Sequence, residues 1–87
     1  MYVIVVYDIE EKRVVKVLKY LRGYLNWVQN SVFEGGLTEG KYKEMEIGLK
    51  KKINLEKDSV IIYQFEDESR MEKKIIGTEK GGSETVL

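Results

Sequence analysis

Residues 2–8, Tyr-Val-Ile-Val-Val-Tyr-Asp, constrain this chain more than any other stretch. Four consecutive β-branched residues between two tyrosines favour extended backbone, because branching at Cβ stiffens χ1 and suits a pleated surface. The run is far shorter than the ~20 residues a spanning helix needs. Its apolarity is nearly continuous, which predicts a strand buried on both faces and therefore central in its sheet. The period then changes. Over residues 11–24, Val14, Val17, Leu18 and Leu21 recur at helical spacing and make one apolar stripe. Lys12, Lys16, Lys19 and Arg22 make a separate basic stripe, and Gly23 is a natural stop.

The remaining chain alternates in the same way. Residues 26–34 read as extended, with Asn30-Ser31 either a tight hairpin turn or a bulge within one bent strand. Gly35-Gly36 breaks the pattern. Residues 38–53 predict a second helix with Thr38 as N-cap, an inward stripe of Tyr42, Met45, Leu49 and Ile53, and Lys50 to Lys52 favouring its last turn. Residues 59–66 predict another strand, and Lys73 to Ile76 a short one. This order predicts an α+β fold: a ferredoxin-like βαββαβ sandwich, an antiparallel sheet with two helices on one face. Residues 1–76 would form that domain and residues 77–87 a C-terminal tail. A chain of 87 residues buries only about 60–65% of its unfolded surface. Strand or tail exchange in a homodimer would enlarge the core and cover an exposed edge.

Composition narrows the chemistry. No cysteine is present, so neither a disulfide framework nor a thiolate nucleophile exists, which is compatible with a cytoplasmic location. No histidine is present either, removing the commonest general base and nitrogen ligand. Hydrolysis would have to rest on Asp or Glu with an oxygen-loving ion, Mg²⁺ or Mn²⁺. Fifteen basic and fifteen acidic residues balance, so any nucleic-acid surface must be local. No apolar run is long enough for a membrane span, and the N-terminus lacks the basic region and cleavage site of a signal peptide.

Asp8 ends the first strand and admits two readings. As a helix cap it would pair with Glu11 at capping-box spacing. As a ligand it would be a rigidly placed carboxylate, and a two-fold axis between neighbouring Asp8 residues would bring two carboxylates to one ion. Tyr7 reads first as a packed strand aromatic with a hydroxyl that could reach phosphate, and Ser31 as a turn residue able to donate to one. Phe33 reads as core or dimer interface. Lys12, Lys16, Lys19 and Arg22 could line a phosphate backbone or form a solvated face. Arg13 lies near the helix start, where a cation is slightly unfavourable.

Three stretches together resemble the CRISPR-associated Cas-two family of small spacer-acquisition proteins. They are VIVVYDI, the helix KRVVKVLKYLRGY, and VQNSVFEG, in the family's order and spacing. The resemblance covers residues 2 to about 66. It implies a ferredoxin-like homodimer whose C-terminal strands cross to the partner. It also implies metal-dependent endonuclease activity, as an endoribonuclease on single-stranded RNA or on duplex DNA, with Asp8 from both subunits as catalytic metal ligand for Mg²⁺. Tyr7, Arg13, Lys16, Lys19 and Ser31 would contact nucleic acid, and Phe33 the partner subunit. The alternative is a non-catalytic DNA-binding scaffold between dimers of the Cas-one integrase. One position departs: many members carry arginine before the Val-Gln of the third motif, where this chain has Trp27.

Overall fold

The computed structural model describes residues 1–81. Strand β1 (Tyr2–Asp8) leads to helix α1 (Glu11–Arg22). Strands β2 (Asn26–Gln29) and β3 (Val32–Gly36) follow, then helix α2 (Glu39–Lys52) and strand β4 (Ser59–Phe65). A short 3₁₀ turn, Glu68–Arg70, closes the ordered elements. The four strands form one antiparallel sheet in the order β2-β3-β1-β4, so β1 is central as its composition predicted. Order and topology are those of the ferredoxin-like βαββαβ sandwich.

One expectation about β1 is corrected. Val3, Val5 and Tyr7 are buried, whereas Tyr2, Ile4 and Val6 are only half-buried and Asp8 is exposed. Both helices cover the same face, so the alternating residues of β1 divide between a closed face and an open one. The closed face packs Val3, Val5 and Phe33 against Val17 and Leu21 of α1 and Met45 of α2, all six fully buried. On the open face, Ile4 is paired with Tyr63 and Val6 with Ile61, and Tyr63 and Ile61 are 52% and 49% exposed. An apolar sheet face of this kind marks a surface that meets something else.

The local expectations resolve in physical terms. Residues 26–36 are a hairpin, so the turn alternative holds and the single bent strand does not: Asn30-Ser31 make the turn, and a separate register shift in the β2–β3 ladder falls between Trp27 and Gln29. Asn30 takes φ 42°, a left-handed conformation that asparagine tolerates. Thr38 caps α2 by accepting from the Lys41 N–H at 3.1 Å. Gly23 ends α1 as expected, though in right-handed conformation with φ −73°.

The predicted strand at Lys73 to Ile76 does not form; residues 71–80 are irregular. That segment passes beside β2, where Gly81 packs on the carbonyls of Trp27 and Val28 and Lys73 pairs with the buried Glu34. The remainder of the predicted tail, residues 82–87, lies outside the described residues. Among the described residues, no helix is long and apolar enough to cross a membrane.

Candidate functional site

Asp8 is the last residue of β1, and strand alternation places it on the open face with Tyr2, Ile4 and Val6. Its partner across the ladder is Ser59, the first residue of β4. The capping expectation is overturned. The N-cap of α1 is Glu10, which makes no side-chain cap bond, and among the described residues the Asp8 carboxylate accepts no hydrogen bond. Its carboxylate is thus exposed, unshared and anchored to the central strand.

A carboxylate at the start of α1 is supplied instead by Asp58, in the α2–β4 loop, a residue the sequence reading passed over. The Glu10 N–H donates to Asp58 Oδ1 at 3.0 Å, and the Asn54 N–H donates to Oδ2 at 2.8 Å. Arg13 grips the same carboxylate with both arms, Nε to Oδ2 at 2.6 Å and Nη2 to Oδ1 at 2.9 Å. Nη2 also donates to Glu10 Oε1 at 2.6 Å. The Asp58 side chain is 0% exposed. The Arg13 guanidinium, aided by the Asn54 and Glu10 N–H groups, holds its carboxyl well below the usual carboxylate range despite burial. Two signals could have revealed this. An unfavourable cation at a helix start calls for a carboxylate, and Asn54, whose Oδ1 accepts from the Glu56 and Lys57 N–H groups, forms a turn that delivers Asp58.

The other candidates separate. Tyr7 points to the closed face, opposite Asp8. Its ring lies 6.1 Å from that of Phe33, and burial raises its hydroxyl above the ordinary value. Phe33 itself is 0% exposed within one chain, so the expectation of a dimer-interface role is corrected: it has no surface left to lose to a partner. Ser31 stands at the same end of the sheet as Asp8, its carbonyl accepting from the Tyr7 N–H at 3.0 Å. Arg13 is nearby, but its Nε and Nη2 are engaged by carboxylates. Lys16 and Lys19 are exposed on α1, and the helix carries Lys19 about 12 Å from its start, toward the opposite end of the sheet. Lys12, Lys16, Lys19 and Arg22 have no ion-pair partner among the described residues.

As a metal ligand set, one chain offers little. No group of three or more His, Cys, Asp or Glu side chains comes together among the described residues. Asp8 alone fits the modest demand of Mg²⁺, a hard ion commonly held by one or two carboxylates with water and phosphate oxygens completing its shell. A second carboxylate would have to come from another copy across the open face.

Comparison with known proteins follows the same outline. The profile of the family described as CRISPR associated protein Cas2 matches residues 1–73. A protein of Archaeoglobus fulgidus named CRISPR-associated endoribonuclease Cas2 2 is 47% identical over 87 residues, covering 99% of this chain and 95% of its own length. One of Thermodesulfovibrio yellowstonii named CRISPR-associated endoribonuclease Cas2 3 is 51% identical over 86 residues, covering 99% and 98%. A solved structure described as "Crystal structure of cas2" superposes with a TM-score of 0.84 at 46% identity, covering 92% of this chain and 90% of that one.

Proposed function

The chain belongs to the CRISPR associated protein Cas2 family, and from that premise we propose that it is a metal-dependent endoribonuclease acting in CRISPR spacer acquisition. The observation that carries the reading is Asp8: an exposed carboxylate with no hydrogen-bond partner among the described residues, held at the end of the central strand on an open apolar face. Two chains meeting through those faces in a homodimer would bury Ile61 and Tyr63 and set the two Asp8 carboxylates toward each other. Relatives named as endoribonucleases support the activity.

In that dimer the Asp8 pair would hold Mg²⁺, or Mn²⁺ in its place. The bound ion supplies Lewis acidity at a phosphate oxygen and lowers the pKa of water beside it. The Ser31 hydroxyl, at the same end of the sheet, would donate to phosphate. Tyr7 keeps the strand end rigid from the closed face. Lys16 and Lys19 lie away from the reacting bond and would bind flanking phosphates, on RNA or on DNA. Such work belongs in the cytoplasm.

The basic stripe, which has no ion-pair partner among the described residues, favours a second reading. Lys12, Lys16, Lys19 and Arg22 span about 15 Å of helix, enough to track several phosphates of a duplex. A dimer would present two such stripes and act as a DNA-binding scaffold joined to the Cas-one integrase without cutting.

Cleavage of labelled single-stranded RNA and duplex DNA, with Mg²⁺ or EDTA, separates the readings. Metal-dependent cutting by the wild type and its loss in a folded Asp8→Ala variant are expected. The Asp8 side chain is exposed and, among the described residues, unbonded, so the variant's stability should change by no more than about 0.5 kcal/mol. Undiminished cleavage by Asp8→Ala would refute the catalytic role.

A further inference from the structure

We infer that Asp58 is a positioning residue for Asp8: by clamping the β1–α1 junction it sets where the Asp8 carboxylate stands on the open face. The inference rests on the reading of Asp8 as a cation ligand.

The β1–α1 junction is only Ile9 and Glu10, and the chain has no proline to stiffen it. Helix α1 has no cap of its own, so its first turn would fray if left alone. The four bonds to the Asp58 carboxylate remove that freedom. One reaches Glu10, two residues beyond Asp8, and two reach Arg13 in the first turn of α1. The fourth fastens Asp58 to Asn54 in its own loop. The ladder works from the other side, since Asp8 pairs with Ser59, the residue after Asp58. Asp8 is therefore bracketed by the sheet before it and the clamp after it. Among the described residues its own carboxylate makes no bond that would orient it, so the backbone is what orients it there. Outer groups that orient a metal ligand commonly matter 10- to 100-fold for metal affinity.

A purely structural clamp would affect stability and leave metal affinity alone, which makes the two roles separable. Mn²⁺ binding is to be measured by electron paramagnetic resonance at fixed protomer concentration, at a temperature where each variant is folded. The proteins are wild type, Asp8→Ala, Asp58→Asn, Arg13→Gln, the double variant of the last two, and Val17→Ala. The last is a core truncation on α1 that loosens the fold without touching the junction.

Asp58→Asn is expected to weaken Mn²⁺ binding about tenfold or more. The double variant should be no weaker than its weaker parent, and Val17→Ala should bind as wild type does. If Asp58→Asn does not fold, Arg13→Gln carries the test, since it leaves Asp58 bonded to the Glu10 and Asn54 N–H groups. Wild-type affinity in the clamp variants, with binding lost in Asp8→Ala, would overturn the positioning role alone. Equal weakening in Val17→Ala would overturn it too, by tracing the loss to general loosening. No Mn²⁺ binding by the wild type, or undiminished binding by Asp8→Ala, would overturn the ligand reading and this inference with it.

Discussion

Gly48→Ala reverses a familiar rule in this protein. Gly48 lies inside α2, where alanine is ordinarily preferred by about 1 kcal/mol. Here an added Cβ would overlap the hydroxyl oxygen of Tyr20 and lie 2.6 Å from its Cζ. That hydroxyl reaches over from α1 and donates to the carbonyls of Glu44 and Met45, at 3.1 and 3.3 Å. The Tyr20 ring cannot swing aside freely. It packs against Tyr24 with centroids 5.2 Å apart, and the Lys52 ammonium sits 4.5 Å from its centre. Displacing it would forfeit a hydrogen bond worth about 1 kcal/mol and a cation–π contact worth about 0.5–1 kcal/mol, besides packing between the helices. The losses exceed the propensity gain, so Gly48→Ala should destabilise by about 1 kcal/mol, lowering Tm by about 4–8 °C in a domain of this size. Thermal unfolding at fixed protomer concentration measures it. In a Tyr20→Ala background the same change should stabilise by about 1 kcal/mol. Gly40, where an added Cβ meets nothing within 4 Å, should tolerate alanine without loss. A rise in Tm for Gly48→Ala in the otherwise unaltered chain would refute the reasoning.

Two further outcomes follow from the electrostatics. The Asp58 carboxyl is held well below its ordinary range chiefly by Arg13, so its ionised form is favoured by folding. The stability this contributes is complete above the ordinary carboxylate value near pH ~4 and is lost as pH falls toward the folded-state value; urea midpoints should drop below about pH 4, and Asp58→Asn should flatten that acid limb. If the α1 stripe tracks duplex phosphates, neutralising Lys16 and Lys19 together to Gln should reduce the slope of log affinity against log salt by about 1.8 for each protomer whose stripe contacts the duplex. An unchanged slope would remove both lysines from the interface.

Much of the fold was legible because periodicity is local. The unbroken β-branched run from Val3 to Val6 marked a central strand, and the change to helical spacing at Val14 marked α1. Thr38 announced the start of α2, and three motifs in order pointed to the family. What misled was context. The sequence showed β1 as apolar on both sides, but whether the second side is covered depends on which face the helices take. Asn30-Ser31 looked like a choice between a turn and a bulge; it is the turn, and the ladder's irregularity falls just before it, between Trp27 and Gln29.

The site divides along the same line. Sequence alone determined that any hydrolysis must rest on carboxylates, that Asp8 ends the central strand, and that α1 carries a basic stripe, because these are properties of residue type and spacing. Tertiary structure decided what each group is free to do. Asp8 and Glu11 have capping spacing, yet the carboxylate that accepts from the Glu10 N–H is Asp58, 48 residues beyond it, because the α2–β4 loop folds back onto the helix start. Arg13 lost two of its donor groups to that same carboxylate, and Phe33 vanished into the core. Among the described residues the Asp8 carboxylate accepts no hydrogen bond while Asp58 takes the Glu10 N–H, and no reading of spacing along the chain can register a partner supplied by the fold.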